Sequence, residues 1–144
     1  MNKLLWTFQI LLTLALGLFG LQKVAMPIPD LIAQGMLWIE DFPAWQVRAI
    51  GALEVLGVLG LTLPFVFKAL PKLLVPLAAA GLSLTMMGAV FTHLTRQDPA
   101  MSIVITGLLM AMSATVAVKR FGEFRKSHTK RDGEGSSIRV ARSS

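Results

Sequence analysis

The chain has 144 residues, of which 54% are hydrophobic and only 15% are charged, and its formal net charge is +6. A soluble domain carries about 25% charged residues, so this chain lacks the charge that a water-facing surface needs. It contains no cysteine, which excludes disulfides, thiol-based redox catalysis and cysteine metal sites. The length allows one domain, and the composition favours a membrane protein.

Four apolar segments are long enough to cross a bilayer as helices, which takes about 20 residues. They predict helices at about residues 4–25, 47–67, 72–94 and 100–119. None of them alternates with a period of two residues, as the strands of a membrane barrel do. Because backbone polar groups in lipid must be paired within the segment, we expect an all-α integral membrane four-helix bundle over residues 1–120.

The connection between the first two helices, residues 27–47, predicts a short interfacial helix. Its apolar residues fall near helical spacing, Asp30 is placed as an N-terminal cap, and Pro43 would end the run. Trp38 and Trp45 suit the headgroup zone of a bilayer. The alternative is a loop that these two tryptophans hold at the membrane surface.

The basic residues predict the orientation. With four spans, both termini and the loop 68–72 share one side. Eleven of the 14 Lys and Arg residues lie on that side: Lys3, Lys68, Lys72, Lys119, Arg120, Arg125, Lys126, Lys130, Arg131, Arg139 and Arg142. The other three are Lys23, Arg48 and Arg96. By the positive-inside rule, we expect both termini to be cytoplasmic and the protein to lie in the cell membrane.

Residues 121–144 are basic, rich in serine and glycine, and without sustained periodicity. We expect a disordered cytoplasmic tail that is dispensable for folding and is attracted to anionic lipid by about 1 kcal/mol per basic residue near the surface. Nucleic-acid binding is the alternative for such a tail. Aromatic residues that could stack on bases are limited to Phe121 and Phe124, so we expect the lipid bilayer as a partner and no nucleic acid.

Glycines recur with charged residues along the helices. Two series have a spacing of three residues: Gly17, Gly20 and Lys23 in the first helix, and Gly51, Glu54, Gly57 and Gly60 in the second. In the third helix, Gly81, Thr85, Ala89 and His93 have a spacing of four. Glycine lets another helix approach closely, so we expect these glycines to pack against neighbouring helices inside the bundle.

These series direct the polar residues Lys23, Arg48, Glu54 and His93 toward one region near the outer membrane surface. A charge at mid-bilayer costs roughly 2.5–3.5 kcal/mol, so such residues are usually paired and often functional. Glu54 lies about 9 Å deeper than Arg48 on the same helix. We expect it to pair with Lys23; the alternatives are a bond to Arg48 that fixes helix register, and a ligand-binding or proton-handling role. A solvated histidine is the alternative for His93.

The same residues carry a family resemblance. "GLFGLQK" in the first helix, "R-x2-G-x2-E-x2-G-x2-G" in the second and "AAAGLSLTMMGAVFTH" in the third resemble the DoxX-like family of small membrane proteins. The resemblance covers residues 4–118 and implies a four-helix bundle in a bacterial cytoplasmic membrane, with Lys23, Arg48, Glu54 and His93 at the family's polar positions. Some relatives are small subunits of quinone-linked oxidoreductase systems. Many begin the first helix with an arginine, for which Lys3 is the nearest candidate here.

The residues also limit the chemistry. The only histidine besides His93 is His128, in the tail, so a haem with two axial histidines inside the bundle is not expected. Metal sites normally need three or four ligands, and we expect none, nor an enzyme that acts alone. Two functions remain: an accessory subunit that holds a redox partner or a lipid-soluble ligand such as a quinone, and a small transporter or proton-coupled carrier that uses Glu54. A homo-oligomer is also compatible with the sequence.

Overall fold

A computed structural model describes the backbone of residues 3–143 and the side chains of residues 3–127 and 129. The described residues form helices and their connections. In chain order these helices are α1 (Lys3–Ala25), α2 (Ile28–Ala33), a 3₁₀ helix (Leu37–Asp41), α3 (Ala44–Val66), α4 (Leu74–Arg96) and α5 (Ala100–Ser143). Four of these, α1, α3, α4 and the first part of α5, are long and apolar enough to cross a membrane. The predicted all-α four-helix bundle is confirmed.

The four long helices pack in a ring, α1 on α3, α3 on α4, α4 on α5 and α5 on α1. The bundle has two ends. We call the one that carries residues 26–43 and the α4–α5 connection the cover end, and residues 26–43 the cover segment. The other, where α1 begins, is the terminal end. These two ends are the reference for the position of each functional side chain along the bundle.

The side-chain distribution fits lipid rather than water on the outside. Large leucines fill the centre, where Leu12, Leu61 and Leu82 are almost completely buried. Equally large ones point outward: Leu56 is 62% exposed and Leu84 is 64% exposed. A soluble bundle would place polar residues at such outward positions. Both faces of these helices are apolar because both are surrounded by apolar groups, which are lipid on one side and protein on the other.

The cover segment contains the predicted short helix in two pieces. Helix α2 ends in a turn at Gly35, whose φ of +91° is a conformation that favours glycine. The 3₁₀ helix follows this turn. Leu31, Ile39 and Val47 form a small core that holds the segment on the bundle. The expected cap was wrong: Pro27 precedes the first turn of α2, and Asp30 lies inside that turn.

Helix α5 differs most from its predicted bounds. The sequence predicted an end near residue 119, but the helix continues into the basic tail as far as Ser143. Hydrogen bonds and an ion pair within the tail support the added turns, including Arg120 to Glu123 and Thr129 to the carbonyl of Arg125. The side chains of residues 130–144 lie outside the described part. Whether the tail is a dispensable unit stays a prediction.

Glycines bring two pairs of helices into close contact. A Cβ on Gly51 would lie 2.7 Å from the Cβ of Lys23 and 2.8 Å from the carbonyl oxygen of Gly20, so α1 and α3 touch there through their backbones. A Cβ on Gly57 would lie 2.5 Å from Leu82, and one on Gly60 would lie 2.6 Å from Ala78, across the α3–α4 seam. Side chains at Gly51 and Gly60 would force the helices apart, whereas one at Gly57 would first displace the side chain of Leu82.

Two of the predicted packing glycines do not follow this pattern. A Cβ on Gly17 would make an ordinary 3.8 Å contact with Val58. The expectation for Gly81 was wrong, since a Cβ there would meet no atom within 4 Å. Gly81 is exposed, and its neighbour Leu82 is the residue of this turn that packs on Gly57 of α3.

We expect Gly51→Ala to destabilise the bundle by roughly 1–3 kcal/mol, as overpacking of a tight core does. The added methyl would meet the backbone of α1, which cannot move aside as a flexible side chain could. Thermal unfolding in detergent measures the effect. Gly107→Ala is the matched control, because its Cβ would meet no atom within 4 Å and alanine favours helix. Equal stability of the two variants would contradict a backbone contact at Gly51.

Candidate functional site

A buried ion pair joins α1 to α3. The ammonium nitrogen of Lys23 lies 2.7 Å from Oε1 and 2.8 Å from Oε2 of Glu54. The Lys23 side chain is 10% exposed and that of Glu54 is 1% exposed. The structure thus contains the predicted pairing. The two glycine series produce it, because the backbone contact at Gly20 and Gly51 brings the neighbouring residues Lys23 and Glu54 within reach of each other.

Arg48 has a different partner from the one considered for it in the sequence. Its guanidinium donates a hydrogen bond to the backbone carbonyl of Lys23, in the last turn of α1. The last carbonyls of a helix have no partner within the helix, and a cation there also interacts favourably with the helix dipole. Arg48 therefore holds the end of α1 on α3, while Glu54 is left to Lys23.

Beside the ion pair is a partly open cavity of about 480 Å³, lined by α1, α3, α4 and α5 and by the cover segment. Lys23, Glu54 and His93 line it; Arg48 is not among its lining residues. Towards the cover end its walls also carry Thr92 and Ser102, and its deeper walls carry mainly apolar residues such as Leu16, Met86 and Leu109. The cavity is therefore polar at one end and mostly apolar at the other.

His93 is held in the cavity wall by an acidic partner that the sequence analysis missed. Its Nδ1 lies 2.7 Å from Oδ2 of Asp98, and its side chain is 11% exposed. Gln97 adopts a left-handed conformation (φ 56°) that ends α4 and turns the chain back, so that Asp98 lies against the last turn. His93 is therefore a buried, hydrogen-bonded histidine rather than a solvated one.

Arg96 ties this turn to the cover segment. It donates to Oδ1 of Asp98 at 3.3 Å and to the carbonyl of Leu37 at 3.1 Å, and it forms an ion pair with Asp41. The hydrogen bond from His93 is the main cause that lowers the pKa of Asp98 below its ordinary value, and Arg96 adds to it. The sequence contained one indication of this contact, since Asp98 follows directly after a helix whose last turn carries His93 and Arg96.

A second polar cluster lies at the terminal end and was also missed. Gln9 donates a hydrogen bond of 2.6 Å to the carbonyl of Leu61 and accepts one of 3.1 Å from Arg120. The guanidinium of Arg120 lies 5.2 Å from the ring centre of Trp6 and 5.4 Å from that of Phe65. Arg120 is therefore more than one of the basic residues that indicate the orientation, since it joins α5 to α1 and α3.

Among the described residues, no group of three or more histidine, aspartate and glutamate side chains is placed to hold a metal ion. The chemistry of the site is that of an ammonium, a carboxylate, an imidazole and a few hydroxyls around an apolar space. Such groups bind polar atoms and exchange protons.

The fold and this site define a multi-pass membrane protein with a polar-ended cavity inside a four-helix bundle. The sequence model of the DoxX-like family matches residues 7–116. The chain therefore belongs to the DoxX-like family, and the matched region contains the whole cavity. Neither the curated proteins nor the solved structures that were compared contain a match to this chain.

We expect Lys23→Met and Glu54→Gln each to destabilise the protein more than the double variant does. Removing one partner of a buried pair leaves the other without compensation, at a cost of roughly 3–5 kcal/mol in soluble proteins, whereas removing both relieves desolvation as well. Thermal unfolding of all three variants in the same detergent measures this. Strictly additive losses would contradict a direct interaction between the two side chains.

Acid should weaken the attachment of the cover segment through Asp98. Because the pKa of Asp98 is lowered in the folded protein, its bonds to His93 and Arg96 stabilise the fold above the ordinary pKa of 3.8 and are lost as pH falls below it. Unfolding of the wild type and of Asp98→Asn, compared between pH 6 and pH 3 (roughly one unit below that ordinary value), tests this. The variant should lose less stability over this range. Glu40→Gln removes an exposed carboxylate of the cover segment and serves as the control; a smaller loss for it too would contradict a specific role of Asp98.

Proposed function

We propose that this protein is an accessory membrane component of a quinone-linked redox system, and that it holds the head of a lipid-soluble quinone in the cavity. The observation that carries the proposal is the cavity beside the Lys23–Glu54 pair, polar at the cover end and mostly apolar below it. Ligand pockets of this kind, about 300–1,000 Å³ with a few placed polar groups, are often built between the helices of a bundle.

The polar groups suit the carbonyl oxygens of a quinone head. The Lys23 ammonium has three donors, of which Glu54 engages two, so one remains for a ligand. His93 uses Nδ1 for Asp98, and Nε2 is its other ring nitrogen. Trp38 and Phe42 line the covered part of the cavity and offer aromatic faces on which a flat ring can stack.

The accessory role follows from the same chemistry. Lysine, glutamate, histidine and hydroxyl side chains can position a quinone and supply or accept its protons. In this proposal the electrons come from a redox partner in the same membrane, and the protein presents the quinone to it. If the protein lies in the cell membrane with both termini on the cytoplasmic side, as proposed, the cavity lies in the outer half of the bilayer.

A proton-coupled carrier is the second candidate, and one observation favours it. Glu54 lines the cavity, so a molecule in the cavity can reach the same carboxylate that Lys23 binds. A carrier would use the making and breaking of this pair during transport. Proteoliposomes with an internal pH dye distinguish the two functions. Only a carrier would show proton transport, and Glu54→Gln would abolish that transport.

We expect a benzoquinone with a short isoprenoid chain to bind saturably to the purified protein and to quench its tryptophan fluorescence. Gly88→Leu should weaken this binding by at least tenfold (about 1.4 kcal/mol), since Gly88 lines the cavity and a Cβ there has no neighbour within 4 Å. The leucine would extend into the space of the ligand from a position where its Cβ meets no protein atom.

Two controls make the result specific. Gly107→Leu places the same side chain at another open helical glycine, one that does not line the cavity, and should bind like the wild type. Trp38→Phe should remove most of the quenching. Mass spectrometry of the protein purified in mild detergent should find a co-purified quinone. Unsaturable binding, or equal binding by Gly88→Leu and Gly107→Leu, would refute the proposal.

The proposed orientation predicts that cysteines introduced at Asn2 and in the tail react with an impermeant thiol reagent only after the cytoplasmic side is opened. The chain has no native cysteine, so each label reports one position. A cysteine at Glu40, in the cover segment, should react in intact cells. The reverse pattern would contradict cytoplasmic termini.

A further inference from the structure

The cavity adjoins a second space on the lipid side of the bundle. A groove of about 490 Å³ runs along the seam between α3 and α4. Leu53, Leu84 and Thr85 line both the groove and the cavity. The two spaces therefore lie next to each other on the seam and share these three residues as walls, in the half of the bundle that carries Glu54.

The floor of the groove is closed and its outer side is open. Gly57 packs on Leu82, and Gly60 packs on Ala78, so α3 and α4 touch along the floor. Gly81 leaves space above this floor, since a Cβ there would have no neighbour within 4 Å. The rims are formed by leucines that point into the lipid, among them Leu56, 62% exposed, and Leu77, 55% exposed. The groove is thus open to the lipid along its outer side, where lipid-soluble molecules can enter it.

The shape and chemistry of the groove fit a linear apolar chain. From Thr85 to Leu74 it follows eleven residues of α4, or about 16 Å at the rise of an α-helix. The described residues that line it carry no charge, and its one hydroxyl, that of Thr85, donates to the carbonyl of Gly81 in its own helix. A chain in the groove would point away from the polar end of the cavity, as the tail of an amphiphile whose head lies there must.

We infer that the groove between α3 and α4 holds the apolar chain of the molecule whose head occupies the cavity, so that the ligand is a long-chain amphiphile that enters sideways from the bilayer. This inference rests on the proposed function and specifies its ligand. The walls that the two spaces share at Leu53, Leu84 and Thr85 are the reason to assign the groove to that chain rather than to a bulk lipid. Lipid tails are as apolar as this chain, so the chain gains binding free energy from close packing in the groove rather than from leaving an unfavourable solvent.

Two quinones with the same head test the inference in nanodiscs of one lipid composition. One carries a chain of several isoprene units and the other carries a methyl group in its place. Affinity is expressed per mole fraction of quinone in the bilayer, which removes the difference in partitioning. We expect the long-chain quinone to bind more tightly to the wild type.

Gly81→Leu should weaken binding of the long-chain quinone by roughly tenfold (about 1.4 kcal/mol) and leave binding of the methyl analogue unchanged, because only the groove is filled. Gly88→Leu should weaken both, and Gly107→Leu neither. If the methyl analogue does not bind the wild type, or Gly88→Leu does not affect it, the proposed function fails. If it behaves as expected but Gly81→Leu leaves both quinones unchanged, this inference alone fails.

A second measurement does not depend on a folded variant. A long-chain quinone with a photoreactive group at the end of its chain should label the seam in the wild type, at or near Leu74 and Leu77, as mapped by mass spectrometry. Labelling confined to α1 or α5 would overturn the inference. It would also be overturned if Gly81→Leu changed the oligomeric mass but not the binding of the long-chain quinone, since the groove would then be an interface between copies.

Discussion

The ion pair between Lys23 and Glu54 ties the two halves of the site together. Each charge would be costly inside a membrane bundle on its own. Both can be buried only when α1 and α3 pack in the register that joins the two side chains. The backbone contact at Gly20 and Gly51 makes that register accessible. A larger residue at either glycine would separate the helices, and the ammonium and carboxylate with them.

The other polar contacts at the cover end have a common effect, which is to fix the cover segment over the cavity. Arg48 holds the end of α1, and Arg96 reaches from α4 to Leu37 and Asp41. Asp98 joins Arg96 to His93, which lines the cavity. Contacts that stabilise the cover segment therefore also orient a residue that lines the cavity, and the cavity and its cover form one unit.

The proposed function uses the contrast between the polar and the apolar parts of this space. In this proposal a head with carbonyl oxygens lies beside Lys23 and His93, and an apolar chain leaves the bundle along the groove at Gly81. Such a site would take its ligand from the bilayer rather than from water. Gly57 and Gly81 have opposite roles in it, since one is filled by Leu82 and the other leaves open space.

The four helices and the bundle could be predicted from the sequence, because in lipid the backbone has to form helices. A carboxylate there needs a nearby cation, and the two glycine series favoured Lys23 but left Arg48 as an alternative, which the structure pairs with a backbone carbonyl instead. It did not reveal the cover-end network, since the contacts of Asp98 depend on how α4 ends and on where Leu37 and Asp41 fold back. Spacing places residues on one helix face, but it cannot say whether a neighbouring side chain fills the space there. Only the packing of Leu82 against Gly57, with Gly81 left open beside it, decided that α3 and α4 form a groove that adjoins the cavity.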